Sequence, residues 1–213
     1  MSNNHPAKYT DVIVPVLAEY AQGATSILDP FAGTGRIFWL HEYLPGVRIE
    51  GLEIEPDWET DPRTTIGDAL NPPWGPNTFD AIVTSPTYGN RLADHYKAKD
   101  GSRRRSYRHS LGRDLHPNNS GRLQWGKKYR VFHVEAWGAI LPLLTPGGVF
   151  VLNIADHIRN WKRQYVSRWH FETLCAMGLT PERGRKVVTP GLRDGENREL
   201  RIGYEYVMKF RKN

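Results

Sequence analysis

Apolar residues along this chain fall into short blocks with two different rhythms. Tight runs such as Ile27-Leu28, Ala81-Ile82-Val83 and Val149-Phe150-Val151-Leu152 are bounded by Gly, Pro or Asp and have strand length, which is the signature of strands buried on both faces. On this basis strands are predicted over 25–29, 47–53, 64–67, 79–84 and 149–154, with two more near 185–189 and 201–209. Between them the apolar spacing turns helical. Helices are predicted over 10–20, closed by Gly23, and over 36–43, 131–144 and 169–177; Pro15 inside the first forces a late start or a kink. A Thr-Pro-Gly-Gly turn occupies 145–148. Strands alternating with helices imply an α/β fold, a doubly wound and mostly parallel sheet of seven strands. The last two strands, joined through 190–197, read as an antiparallel hairpin at one sheet edge.

At 213 residues the chain suits one domain, and 39% hydrophobic residues with 7 Trp, 10 Tyr and 7 Phe supply a real core. No apolar run approaches the ~18 residues of a bilayer span, and the first six residues lack the basic-then-apolar pattern of a signal peptide. The expectation is a soluble, intracellular, cytoplasmic protein without membrane attachment. The single cysteine, Cys175, sits among apolar neighbours and reads as an inert thiol, and the eight histidines show no metal-ligand spacing, so no metal is expected.

Charge changes the picture. The net charge is +6, yet residues 91–130 hold twelve Lys and Arg against three Asp, so the rest of the chain is mildly acidic. This basic insert includes Arg91, Arg103, Arg104, Arg105, Arg108, Lys127 and Lys128, interleaved with Tyr96, Tyr107, Trp125 and Tyr129. Cations that displace phosphate counterions, with rings that stack on unpaired bases, suit a nucleic acid; a solvated loop is the plainer alternative. The insert is therefore a candidate nucleic-acid-binding region within a single domain.

The first strand runs into Asp29-Pro30-Phe31-Ala32-Gly33-Thr34-Gly35-Arg36. Glycines at 33 and 35 allow close backbone approach to a ligand, but Phe38 stands where a dinucleotide loop has its third glycine, and Asp29 repels a pyrophosphate. The loop resembles the first motif of the S-adenosylmethionine-dependent DNA amino-methyltransferases, the N6-adenine and N4-cytosine family of the class I, Rossmann-like methyltransferases. The resemblance extends from His5 to about Ile154. It implies S-adenosylmethionine as cofactor, held by Asp29 at the methionine ammonium, with Phe31, Gly33 and Gly35 in the loop. Glu53 matches the second motif, where a carboxylate takes the ribose hydroxyls, with Ile54 against the adenine. Asp68, followed by Ala69, matches the third, where a carboxylate accepts from the adenine amine. Lys8 and Tyr9 belong to a lead-in segment that folds over the methionine end.

After the fourth strand comes Thr84-Ser85-Pro86-Thr87-Tyr88-Gly89-Asn90-Arg91, which resembles the family's (D/N/S)-P-P-(Y/F/W) motif, with Thr87 in place of the second proline. An exocyclic amine is a poor nucleophile until its two N–H groups are held and its lone pair is turned out of conjugation. Ser85 and the carbonyl of Pro86 are the expected acceptors. Tyr88 is the expected stacking face for a flipped base. Asn90 and Arg91 are weaker candidates for backbone contacts, Asn153 and Asp156 for the base pocket, and His157, Arg159, Lys162, Arg163 and the stretch 193–201 for phosphates.

The expected activity is methyl transfer to an exocyclic amine of a nucleic-acid base, adenine N6 or cytosine N4 in DNA. Two alternatives stand beside it: RNA methylation, such as guanine N2 of tRNA, and a non-catalytic nucleic-acid-binding subunit. No large recognition domain is expected in the chain, so the basic insert is the candidate target-recognition region, with specificity either relaxed or supplied by a second subunit; a homodimer is the other expected assembly.

Overall fold

Alternation of apolar residues builds a single large sheet. In the computed structural model, which describes residues 5–6, 9–94, 106–189 and 198–213, the strands are β1 (Ser26–Asp29), β2 (Arg48–Glu53), β3 (Thr64–Ile66), β4 (Phe79–Thr84), β5 (Leu144–Ile154), β6 (His157–Arg159), β7 (Lys162–Gln164), β8 (Leu179–Val188) and β9 (Tyr204–Lys212). Seven of them order as β3-β2-β1-β4-β5-β9-β8. The pairs from β3 to β5 are all parallel, and β9 runs antiparallel to both β5 and β8. This is the doubly wound, Rossmann-like sheet with an antiparallel edge pair that the sequence pattern predicts.

Successive side chains leave opposite faces of each strand, so every buried strand feeds two cores. Leu28, Leu52, Ile82, Phe150 and Leu152 pack with Tyr129, Phe132, Trp137 and Ile140 of helix α3 (Lys127–Ile140) and with Val166 and Leu174 of α4 (Val166–Ala176). Ile27, Ile49, Ala81, Val83 and Val151 pack on the other face with Val14, Leu17 and Tyr20 of α1 (Val14–Tyr20) and with Ile37 and Leu40. Both faces are covered, as a parallel sheet requires.

Several boundaries depart from the sequence reading for local reasons. Helix α1 starts late, with Pro15 in its first turn, where the missing N–H costs nothing. The segment Arg36–Glu42 winds as a 3-10 helix. Helix α3 starts at Lys127, four residues before the expected position. The Thr-Pro-Gly-Gly turn becomes a bulge within β5, marked by the register shift between Phe79 and Ala81. Strand β8 extends back to Leu179 and tolerates Pro181 because it is an edge strand. The β6–β7 hairpin is an addition to the expected elements; Asn160 and Trp161 form its two-residue turn, both with positive φ. Cys175 is half-buried in α4, and burial pushes its thiol pKa up, consistent with an unreactive side chain. None of the described helices is long and apolar enough to cross a membrane.

Candidate active site

At the carboxyl edge of the parallel strands lies a cavity of about 270 Å³. Open α/β sheets bind ligands at this edge because the loops leaving neighbouring strands diverge there. One wall comes from the loop after β1, with Phe31 and Gly33, from Glu53 and Ile54 at the end of β2, and from Gly67, Asp68 and Ala69 after β3. The other comes from Ser85, Pro86, Thr87 and Tyr88 after β4. Both predicted motifs thus face a common space.

Gly33 (φ 54°) and Gly35 (φ 75°) adopt left-handed backbone, which turns the loop sharply at the strand end. The N–H of Gly33 donates to Oε2 of Glu53 at 2.8 Å, and the N–H of Glu55 donates to Oε1 at 2.9 Å. Burial nevertheless raises the Glu53 pKa to about 7. A carboxylate oxygen accepts more than one hydrogen bond, so both oxygens of Glu53 could also take a ribose diol. Gly35 borders the loop without entering the cavity lining. Lys8 lies outside the described residues.

Asp29 takes a different place from the one expected. Its carboxylate is buried and accepts from Tyr9 Oη (3.0 Å), Thr84 Oγ1 (2.8 Å) and the Phe31 N–H (3.0 Å), away from the cavity lining. Burial raises its pKa to about 6, against the pull of those donors. Asp29 therefore ties the first loop to β4 from behind, and holds Tyr9, which itself lines the cavity. Asp68 accepts from the Leu70 N–H at 2.9 Å and from Nδ2 of Asn118 at 2.7 Å, an amide donor standing in the place expected for the adenine amine.

Ser85 belongs to a polar cluster with an unforeseen member, Glu205 of β9. The Tyr88 hydroxyl donates to Glu205 Oε2 (2.7 Å), and Nδ2 of Asn153 reaches Glu205 Oε2 (2.8 Å), Tyr88 Oη (3.1 Å) and Ser85 Oγ (3.3 Å). With the Tyr88 proton committed to Glu205, the Ser85 hydroxyl donates to Tyr88 Oη at 2.9 Å. One Ser85 lone pair is left for a donor in the cavity. Burial beside Glu205 holds the Tyr88 pKa well above the ordinary phenol value, so Tyr88 stays a donor. Asn153 sits behind the pocket, and Asp156 is elsewhere, accepting from the Ser167 N–H and pairing with Arg163. Only the order of the folded strands brings Glu205 and Tyr88, 117 residues apart, together.

The loop is braced from below. Trp137 Nε1 donates to His170 Nδ1 (3.2 Å), which leaves the proton of the neutral ring on Nε2 to donate to Tyr129 Oη (2.9 Å). Tyr129 in turn donates to the Thr87 carbonyl at 2.6 Å. Burial holds His170 well below the usual imidazole pKa, which keeps this direction of donation fixed.

The described part of the basic insert packs against the side of the cavity formed by the loops after β2 and β3. Tyr107 of α2 (Tyr107–Leu111), Asn118, Asn119 and Ser120 line it. Glu55 anchors the segment, accepting from the His116 N–H and Asn119 Nδ2 and pairing with Arg113 at 2.9 Å. Not every cation of the insert is left to meet a nucleic acid, as Arg108 was expected to. Arg108 is buried and pairs with Asp114 at 3.1 Å, and Arg113 also binds Asp57. Arg91, Lys127 and Lys128 are exposed, whereas Tyr96, Arg103, Arg104 and Arg105 lie outside the described residues, as does 193–197 of the stretch expected near phosphates.

No family model and no curated protein sequence matches this chain. Solved structures do. TrmN from Thermus thermophilus superposes with a TM-score of 0.60 at 16% identity, over 99% of this chain and 51% of its own. An S-adenosylmethionine-dependent methyltransferase of Methanosarcina mazei gives 0.56 at 12% identity, over 93% of this chain and 97% of its own. The 1,6-didemethyltoxoflavin N1-methyltransferase of Burkholderia thailandensis, solved with S-adenosylhomocysteine, gives 0.51 at 18% identity, over 95% and 80%. At 12–18% identity, what they share with this chain is the scaffold. This chain therefore shares its Rossmann-like fold with solved S-adenosylmethionine-dependent methyltransferases.

Proposed function

We propose that this protein transfers a methyl group from S-adenosylmethionine to an exocyclic amine of a base in DNA, adenine N6 first and cytosine N4 second. One observation carries the reading: the first-motif loop, with Glu53 and Asp68, shares a continuous cavity with Ser85-Pro86-Thr87-Tyr88. The residues fit the cofactor. Glu53 would hold the ribose hydroxyls, Ile54 and Phe31 the adenine and its surroundings, and Asp68 the adenine amine after Asn118 yields its hydrogen bond.

When bound, the cofactor supplies an electrophilic methyl on a sulfonium. Ser85 Oγ, through its remaining lone pair, and the Pro86 carbonyl hold the two amine N–H groups, which turns the nitrogen lone pair outward. The Tyr88 ring, its hydroxyl pinned by Glu205 and Asn153, offers a fixed stacking face. After transfer the methylated nitrogen is acidic. Its proton passes to Ser85 as the Ser85 proton moves to Tyr88 and the Tyr88 proton to Glu205, ending on a carboxylate.

The test is methyl transfer from the labelled cofactor to duplex DNA, to tRNA and to free nucleosides, with digestion and mass spectrometry of the products. N6-methyladenine or N4-methylcytosine in DNA supports the reading; product confined to RNA or to small molecules overturns it. A chain that binds the cofactor with no transfer in any arm is a non-catalytic subunit.

A further inference from the structure

The β6–β7 hairpin is the most exposed aromatic feature of the described molecule, and neither sequence motif accounts for it. Its turn is Asn160-Trp161, with φ of 49° and 60°. A two-residue turn with both residues left-handed is stable with Asn first and Gly second. Here the second position carries tryptophan, which strains the backbone, and its side chain is 65% exposed. Tyr165, just past β7, is 57% exposed. A bulky ring held in a strained turn and presented to solvent contributes nothing evident to the core.

The hairpin is held rigidly beside the site. Arg163 fastens its base to Asp156 and to the hydroxyls of Tyr204 and Tyr206 on β9. Arg159 donates to Gln124 Oε1 at 2.6 Å and to the Trp125 carbonyl, and the Trp125 N–H donates to the Gly89 carbonyl, in the loop that carries Tyr88. Charge follows the same line. Arg159 and Lys162 flank the turn and are exposed, no acidic residue lies between 157 and 165, and Arg130 stacks its guanidinium over Trp125. Lys127 and Lys128 are exposed in the first turn of α3, the end of a helix that disfavours cations.

We infer that this hairpin is a DNA-binding wedge, with Trp161 stacking on a base left unpaired next to the target nucleotide and Arg159 and Lys162 on the adjoining phosphates. Flipping a base into the cavity leaves its neighbours partly unstacked, and an indole on a rigid tip two contacts from Gly89 is suited to cover one. The inference rests on the proposed function for its choice of DNA.

The test uses Trp161→Gly and Trp161→Phe in the full chain. Glycine suits the left-handed turn, so Trp161→Gly is expected to melt at the same or a higher temperature than the parent. Its affinity for a duplex with one mismatched or unpaired base is nevertheless expected to fall about tenfold by fluorescence anisotropy. Trp161→Phe, which keeps a ring, is expected to retain most of the affinity, and Lys162→Gln to flatten the salt dependence. Parent-like affinity of Trp161→Gly, with the parent methylating DNA, overturns the wedge and leaves the proposed function standing. Trp161-dependent DNA binding without transfer to DNA does the reverse. Dependence on Trp161 for RNA alone overturns the assignment to DNA.

Discussion

The hydroxyl of Thr87 donates to that of Ser120 at 2.9 Å, joining the loop after β4 to the segment that packs on Glu55 and Asp68 across the cavity. Proline at position 87, as the resembling family has it, stiffens the loop but cannot make this bond. The threonine exchanges local stiffness for a tie between two walls of the site, and the Tyr129 bond to the Thr87 carbonyl supplies stiffness from below.

Thr87→Val keeps shape and removes the tie. One neutral hydrogen bond contributes about 1 kcal/mol, so cofactor affinity is expected to weaken roughly fivefold by calorimetry, with the fold intact. Unchanged affinity would show that the two walls are not coupled through this bond.

Ser85→Ala removes an amine acceptor and Tyr88→Ala the stacking face. Each is expected to lower kcat by about a hundredfold or more, given a few kcal/mol per lost positioning contact. Cofactor affinity should stay within about threefold, since neither residue faces the ribose or adenine in the proposed pose. An equal loss of both would show the loop to be misassigned.

Glu205→Gln retains an acceptor for Tyr88 but cannot take a proton at neutral pH. Its kcat is expected to fall about tenfold to a hundredfold, with a KM close to the parent value. Tyr88→Phe, which interrupts the same relay, should lose a comparable factor, and combining the two should cost little more than either alone. Full additivity would place Glu205 outside the relay.

The Glu53 carboxyl, raised to about 7 by burial, titrates across neutral pH. Only the ionised form can accept from both ribose hydroxyls at once, because protonation turns one of its oxygens into a donor, so below that pKa full pairing requires the loss of a proton. Affinity is expected to rise about tenfold from pH 6 to pH 8 and then to level off. Glu53→Gln should bind more weakly and lose the pH dependence. A flat profile in the parent would remove Glu53 from the ribose contact.

Tyr129→Phe takes the hydroxyl from the centre of the Trp137–His170–Tyr129–Thr87 chain and leaves the Thr87 carbonyl and His170 Nε2 unpaired. A loss of about 2–3 kcal/mol follows from the buried orphans, read as a lower denaturant midpoint. An unchanged midpoint would show that the chain of hydrogen bonds does not brace the loop.

The sheet was legible because its code is local: two-residue alternation at Ile27, Leu28, Ala81, Ile82 and along β5 sorts side chains to two faces whatever lies beyond. The two loops that line the cavity were legible for the same reason, since residues directly following a strand are placed by that strand. The roles of Asp29, Arg108 and Arg113 were not, because a charge in a sequence carries no sign of its partner; Tyr9, Asp114 and Glu55 are supplied by the fold. Glu205 and the hairpin tip depend on more distant order still. Strand β9 inserts between β5 and β8, and only that insertion sets a carboxylate against Tyr88. Sequence alone determined the scaffold and its two facing motifs. Tertiary structure decided which polar groups meet there, since a hydrogen bond is fixed by distances of about 3 Å that residue spacing along a chain does not specify.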